Sequence, residues 1–175
     1  MKTSDEVSLQ YDGTEISVLN ETFNGLPFFR KYIGKVEYQI YQILQLNPHP
    51  NIVKVYRITE TFIDMELLTP VNDILDYDKM SVSIAANAAK DHLQGIGIFY
   101  IDWKSDNLGI DKNNNYRLFD FDGSGIFHEK WMIEPLPYWS YRQALEKGLK
   151  YPKEIDDFAF ELNLNDHSDN KNNNN

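Results

Sequence analysis

Apolar and polar residues alternate in two rhythms along this chain, and each change of rhythm marks an element. From Val7 to Leu19 a period of two runs on both sides of Asp12-Gly13, a favoured two-residue turn, which predicts a hairpin. Phe28-Phe29-Arg30-Lys31-Tyr32-Ile33 reads as a further strand. Between Lys35 and Leu46 the period lengthens, with Val36, Ile40, Ile43 and Leu44 at helical spacing. Asn47-Pro48-His49-Pro50 ends that helix, because a proline drives the residue before it out of the helical region. Two strand candidates follow, Ile52–Arg57 and Thr61–Leu68, and then Thr69-Pro70 breaks the pattern. Val82, Ala85, Ala86, Ala89 and Leu93 form the stripe of a second helix, with Gly95 as its stop.

Further on, Leu108-Gly109-Ile110 and Tyr116-Arg117-Leu118-Phe119 flank the polar turn Asp111–Asn115 and predict a second hairpin. Pro135, Pro137 and nearby aromatics predict an irregular segment leading to a helix at 139–147, and Ile155–Leu162 reads as a last helix. Residues 163–175 are almost wholly Asn, Asp, His, Ser and Lys, with Leu164 the one apolar residue. Such a stretch buries too little to offset the entropy of ordering, which predicts a disordered tail. Periodicity alone supports an α+β fold.

A chain of 175 residues that is 42% hydrophobic, with 10 Phe, 11 Tyr and 3 Trp, can bury a sizeable core as one compact unit. Its net charge of −10, from 27 acids against 17 bases, argues against nucleic acid or an anionic membrane as partner, since both require basic patches. A local exception is Lys147, Lys150 and Lys153, read as a solvated helix end. Cysteine is absent, which excludes disulfides, a thiolate nucleophile and a cysteine zinc site. With a polar Met1–Glu6 and no apolar run of membrane length, a reducing, cytoplasmic compartment is the default expectation.

The chemistry concentrates in Tyr100-Ile101-Asp102-Trp103-Lys104-Ser105-Asp106-Asn107 and in Leu118-Phe119-Asp120-Phe121-Asp122-Gly123. Asp102 and Asn107 are five apart and can share one loop, and the hairpin between them and Asp120 returns the chain to its starting point. Two carboxylates and an amide on one spot suit a hard cation such as Mg²⁺ together with phosphate oxygens.

Asp102 and Asn107 fit the D-x-x-x-x-N part of the protein-kinase catalytic loop, and Asp120-Phe121 fit the start of its D-F-G motif. The chain resembles that family over about residues 28–162: His49-Pro50-Asn51-Ile52-Val53 is similar to the segment after the kinase regulatory helix, and Asp156 lies at the Asp of a D-x-W-S-x-G-like helix. The resemblance implies a two-lobed fold, with a small antiparallel-sheet lobe over 1–68, a shortened, mainly helical lobe over 69–162 and the tail at 163–175. It also implies ATP and Mg as cofactors, and a protein substrate or binding partner. Asp102 would take the proton of the accepting hydroxyl, Lys104 would stabilise the transferring phosphoryl group, and Asn107 and Asp120 would hold the metal. Lys31 would steady the ATP phosphates, and Glu66 and Leu68 would lie where backbone groups bind adenine. The partner of Lys31 should be a Glu on the following helix. Counting back from His49-Pro50 lands near Gln39, with Glu37 the nearest acid, although residues two apart on a helix point in different directions.

The departures are Tyr100 for His, Ile101 for Arg and Asp122 for Gly, together with the lack of G-x-G-x-x-G and of a recognisable A-P-E. Ile101 removes the arginine that pairs with a loop phosphate, so activity should not depend on such phosphorylation. Set beside Ser/Thr phosphotransfer is a pseudokinase, a kinase-shaped module that binds nucleotide or protein without transfer. A small-molecule kinase shares the D-x-x-x-x-N loop. Asp120-Phe121-Asp122-Gly123-Ser124 also resembles the nucleophile motif of haloacid-dehalogenase-type phosphatases, with Asp156-Asp157 as that family's later acidic pair.

Overall fold

The computed structural model of the chain describes residues 7–11, 14–18 and 22–165, with side chains from 22 to 164. Strands β1 (Val7–Tyr11) and β2 (Thr14–Val18) pair antiparallel, Tyr11 opposite Thr14, as the alternation predicts; the turn residues Asp12 and Gly13 lie outside the described residues. Strands β3 (Thr22–Phe23) and β4 (Leu26–Tyr32) precede helix α1 (Lys35–Leu46). Strands β5 (Val55–Ile58) and β6 (Phe62–Glu66) complete a four-stranded antiparallel sheet of order β3-β4-β6-β5. Its register sets Phe29 opposite Met65 and Lys31 opposite Ile63, and because side chains alternate, Phe29 and Lys31 share one face.

Helix α1 buries Glu37, Ile40, Tyr41 and Leu44, an i, i+3, i+4, i+7 stripe. That stripe is rotated from the predicted one: Val36 is 39% exposed, and a carboxylate takes its place on the inner face. Ile52, expected inside a strand, instead makes an isolated parallel bridge to Leu118, and β5 begins three residues later.

The two-residue strand β7 (Thr69–Pro70) lies where the sequence predicts a break. Helix α2 (Lys79–Gly95) starts at Asp78, whose carboxylate accepts from Met80 N at 3.0 Å and from Ser81 Oγ at 2.6 Å. It buries the predicted Val82, Ala85, Ala86, Ala89 and Leu93, the three alanines allowing close approach. Strand β8 (Ile98–Phe99) leads into the loop that carries Asp102. The predicted hairpin is β9 (Leu108–Ile110) and β10 (Tyr116–Leu118), with β7 added to the outer side of β9. Its turn closes on Asp111, which accepts from Asn113 N at 2.8 Å and Asn115 N at 2.9 Å, and these donors with Arg117 hold its carboxyl far below the usual range against the effect of burial.

Strands β11 (Gly125–Phe127) and β12 (Trp131–Ile133) form a second three-stranded sheet with β8, three short strands that the sequence reading does not name. Helices α3 (Trp139–Glu146) and α4 (Pro152–Phe160) follow, and α4 runs on as a π-helical turn over Glu161–Asn165. The ordered helix therefore passes the predicted boundary at 162 by three residues, and 166–175 lie outside the described residues. The architecture is mixed α and β with antiparallel sheets. One buried cluster runs from Ile40, Tyr41 and Leu44 of α1 through Leu118 and Phe121 to Ile155 and Phe160 of α4. Among the described residues, no helix is long and apolar enough to cross a membrane.

Candidate active site

The loop from Tyr100 to Asn107 has few backbone hydrogen bonds of its own, and Asp156 of α4 supplies its anchor. Asp156 is fully buried and accepts from Ile101 N at 3.0 Å, from Trp103 Nε1 at 2.7 Å and from Gln94 Nε2 at 2.9 Å. Burial raises its carboxyl above the ordinary range, and the three donors pull the other way. The anchor holds Ile101 at a φ of 63°, an unfavourable angle for a β-branched residue. Beyond that bend the Asp102 and Asn107 side chains meet: Asn107 Nδ2 donates to the Asp102 carbonyl and to Asp102 Oδ2, both at 3.0 Å. Lys104 Nζ lies 2.9 Å from the same Oδ2. Burial works against the Lys104 charge, but the hydrogen bond and charge of Asp102 outweigh it and raise its pKa.

A second group forms where β4, α1 and the end of the β9–β10 hairpin converge. Lys31 Nζ lies 2.7 Å from Glu37 Oε1 and 2.6 Å from Asp120 Oδ1. Glu37, rather than Gln39, meets the lysine because it falls on the buried stripe of α1. Burial lowers the Lys31 pKa, yet the two carboxylates more than compensate and it stands above its ordinary value. Glu37 is raised, burial outweighing the attraction of Lys31. Asp120 has a φ of 63°, and the next residue, Phe121, is packed edge-on against Tyr41 and Tyr100 with ring centroids at 5.4 and 5.2 Å. The Tyr100 hydroxyl donates to the Phe119 carbonyl at 2.6 Å and so pins the backbone one residue before Asp120.

The two groups adjoin. Asp120 adds to the charge that raises Lys104, and Asp122 is raised by burial, then by Asp120, with a smaller effect from Asp102. Asp122 Oδ2 accepts from the Tyr138 hydroxyl at 3.1 Å. Gly123 makes this packing feasible: a Cβ there would stand 2.9 Å from Tyr138 Cε2 and 3.1 Å from Asp102 Cβ. Burial, then Asp122, push the Tyr138 hydroxyl up to about 12.

Of the sequence-predicted residues, the structure gathers Lys31, Glu37 and Asp120 into one group and Asp102, Lys104 and Asn107 into the other. The Glu66 carboxylate is engaged elsewhere, accepting from Lys54 N at 2.6 Å and pairing with Arg117 at 3.0 Å. Leu68 packs against Gly109, where a Cβ would be 2.8 Å from Leu68 Cβ. Asp156 and Asp157 do not join Asp120 and Asp122: the first anchors the loop, and the second is tied to Lys90 at 2.8 Å and Lys153 at 2.6 Å. Sequence reasoning passed over Tyr138, whose link to Asp122 spans sixteen residues and depends on a missing side chain at Gly123. A cavity of about 440 Å³ lies apart from both groups, between the end of α1 and β5, lined by His49, Val53, Lys54 and Arg117 among others.

Among the described residues no three His, Cys, Asp or Glu side chains stand close enough to form a ready-made metal site. The donors at hand are nevertheless hard oxygens. With Asn107 Nδ2 committed to Asp102, the Asn107 amide oxygen is left for a cation, and Asp120 has a carboxylate oxygen beyond the one on Lys31. Carboxylates outnumber lysines here, a balance that suits a divalent cation sharing the site with phosphate groups.

No protein-family model matches the chain. It is 29% identical over 115 residues to the serine/threonine-protein kinase SIK1 of Mus musculus, covering 58% of this chain and 14% of that protein. It is 28% identical over 120 residues to the serine/threonine-protein kinase SKS1 of Saccharomyces cerevisiae, covering 61% of this chain and 22% of that protein. With the hormonally up-regulated neu tumor-associated kinase homolog of Xenopus tropicalis it shares 33% identity over 142 residues, 70% of this chain and 20% of that protein. The aligned region thus spans between 14% and 22% of the length of these relatives, and the homology to serine/threonine protein kinases is weak and partial.

Proposed function

We propose that this chain is a kinase-like phosphotransferase that moves the γ-phosphate of ATP to a Ser or Thr hydroxyl of a protein. The observation that carries the reading is Lys31, held at once by Glu37 and Asp120, beside an Asp102–Lys104–Asn107 loop. In this reading the chain has two lobes, 1–68 and 69–162, that meet at this lysine. Lys31 steadies the nucleotide phosphates, and Glu37 keeps its ammonium in place. Asn107 and Asp120 would hold Mg²⁺, which supplies charge neutralisation at the phosphates. Adenine would lie against the backbone of Glu66–Leu68, since the Glu66 side chain is already engaged. Asp102 orients the accepting hydroxyl and takes its proton; its Oδ2 is held by Asn107 and Lys104, so the carboxylate is oriented before the acceptor arrives. Lys104, kept charged by Asp102, stands ready for the charge that develops on the transferring group.

The second reading is a binding module of the same shape without transfer. Asp122 favours it, because it adds a carboxylate beside Asp120 where phosphates would lie.

Thermal melts with ATP, with and without Mg²⁺, test the nucleotide site. Ligand at about 100 times its Kd should add roughly 2.7 kcal/mol of stability. We expect a Mg²⁺-dependent rise that vanishes in Asp120→Ala; no rise at millimolar ATP would defeat the enzyme reading. Asp102→Asn should retain ATP binding and lose phosphate transfer to a serine-containing peptide. Transfer that is absent from wild type while binding is present would leave the binding module.

A further inference from the structure

Among the described residues, one buried side-chain oxygen or nitrogen has no hydrogen-bond partner: the hydroxyl of Tyr41, a residue with no exposed surface. A phenylalanine would fill the same space without leaving a polar group unmatched in the core. Two sides define where the hydroxyl sits. On α1, Tyr41 follows Glu37 by four residues on the same buried stripe, and helical side chains lean toward the N-terminus, so the ring lies back along the turn that carries Glu37. Opposite α1, the ring packs edge-on against Phe121 with centroids 5.4 Å apart, and the Asp120 backbone N–H stands near the hydroxyl oxygen without bonding to it. Burial, then the charges of Glu37 and Asp120, hold the hydroxyl well above its ordinary pKa, so it keeps its proton and is a donor among acids.

Three carboxylates act on this donor: Glu37, Asp120 and Asp122. Glu37 Oε1 accepts from Lys31 at 2.7 Å, a bond that the phosphotransferase reading retains, and Asp122 Oδ2 accepts from the Tyr138 hydroxyl at 3.1 Å. Asp120 Oδ1 also accepts from Lys31, at 2.6 Å, but that bond must open when Lys31 turns to the nucleotide phosphates. Asp120 is therefore the carboxylate of the three that changes partner. We propose that Tyr41 is a positioning residue for Asp120: its hydroxyl, unpartnered while Asp120 is on Lys31, donates to the Asp120 carboxylate once Mg·ATP draws the lysine away. The phenol then fixes the metal-binding side chain that Lys31 has released. The inference rests on the phosphotransferase reading above and goes beyond it, because it gives a role to a core residue that touches no substrate.

Tyr41→Phe removes the hydroxyl and keeps the ring. The experiment compares this variant with wild type in three measurements: the melting temperature without ligand, the Kd for ATP at saturating Mg²⁺ by calorimetry, and the Mg²⁺ concentration that gives half of the ATP-dependent rise in melting temperature. Without ligand the variant should melt at or above the wild-type temperature, since no hydrogen bond is lost. Its Kd should rise about 10-fold, the scale of one hydrogen bond to a charged group, and the half-rise should require more Mg²⁺. A lower melting temperature without ligand would mean that the hydroxyl already has a partner there, and would overturn the proposal. A Kd within about 2-fold of wild type, too little for such a bond, would also overturn it. So would a weaker Kd with an unchanged Mg²⁺ requirement, which would place the effect elsewhere than on Asp120. All three leave the phosphotransferase reading standing, because wild type still binds Mg·ATP. Absence of Mg·ATP binding in wild type would end the reading itself, and the proposal with it.

Discussion

Asp156 meets no substrate in the proposed reaction, yet three donors from two parts of the chain converge on it: Gln94 Nε2 of α2, and Ile101 N and Trp103 Nε1 of the loop. Replacing it by alanine would strand the Ile101 amide and the Trp103 indole N–H in the core, and a buried donor without a partner costs about 1–3 kcal/mol. It would also release the bend at Ile101, where a φ of 63° on a β-branched residue persists only while its surroundings impose it. Denaturant melts should therefore show Asp156→Ala losing about 3–5 kcal/mol. Asp156→Asn keeps an acceptor for both donors, and Gln94 can turn its amide oxygen toward the new NH₂, so its loss should stay near 1 kcal/mol. Equal loss in both variants would mean that packing at α4, and not these hydrogen bonds, holds the loop. At this scale the sequence was most legible where a residue acts through its neighbours in the chain. Asp102 and Asn107 share a loop and do meet. Glu37 was legible only in part: counting from His49-Pro50 points to Gln39, while the buried stripe Glu37-Ile40-Tyr41-Leu44 selects Glu37. Tyr138 was not legible, because its place is set by a glycine and a carboxylate fifteen and sixteen residues away.

Helices α1 and α2 are joined end to end by two imidazoles. His49, just past α1, and His92, in the last turn of α2, stack with ring centroids 4.6 Å apart and planes 23° from parallel. His92 Nε2 lies 3.0 Å from the carbonyl of Asn47, the C-cap of α1, which makes that nitrogen a donor. His49 Nδ1 accepts from Asn51 N at 3.2 Å, so it carries no proton in this arrangement. Burial, then the neighbouring His92, lower the His49 pKa below its ordinary 6.5, and the other cations on its cavity wall are Lys54 and Arg117. The sign follows directly: as pH falls below about 6.5 the unfolded chain takes up this proton before the folded one does, so stability present above 6.5 is lost toward the lower folded value. Melting temperature should drop between pH 7 and 5.5, and His49→Gln should flatten that interval. An unchanged slope in the variant would assign the loss to other groups. Asp157, held near 2 by Lys153, Lys90 and Gln94 against its burial, acts in a separate window at lower pH, where its stabilisation is lost as pH falls from about 4 toward 2. Both helices were legible, because twelve and seventeen residues are enough to display a period, and the β9–β10 hairpin was legible from the polar turn Asp111–Asn115 between its short strands. The sheet of β8, β11 and β12 was not, since strands of two or three residues contain no repeat to read. Their pairing rests on contacts such as Gly125 with Phe99, distant in the chain.

Across the whole molecule, the core runs through the boundary expected near residue 68, with one side-chain cluster and several hydrogen bonds spanning it. Tyr41, Leu44, Ile52, Val53, Ile63 and Met65 are buried in the same cluster as Leu108, Leu118 and Phe121. Backbone bonds cross the boundary too: Val53 N donates to the Leu118 carbonyl at 2.9 Å, and Leu118 N to the Asn51 carbonyl at 2.8 Å. Lys31 with Asp120, and Glu66 with Arg117, add ion pairs across it. A fragment ending at Leu68 would expose the face of α1 and β6 that these later residues cover, and a domain of that size already has little core to spare. We therefore expect the fragment 1–68 to be unfolded, and residues 1–165 to unfold in a single cooperative transition. The three tryptophans, Trp103, Trp131 and Trp139, all lie beyond the boundary, so their fluorescence reports the later part alone. Amide exchange at Ile40 and Ile63 reports the earlier part. Superimposable denaturation curves from the two probes are the expected result, whereas exchange at Ile40 and Ile63 at lower denaturant than the fluorescence change would show that the strand-rich part opens on its own. The nucleotide experiment then acquires a sharper meaning: if Lys31 and Asp120 belong to one folding unit, Mg·ATP that binds at this pair must raise both curves by the same amount, since ligand binding stabilises whatever unfolds with its site.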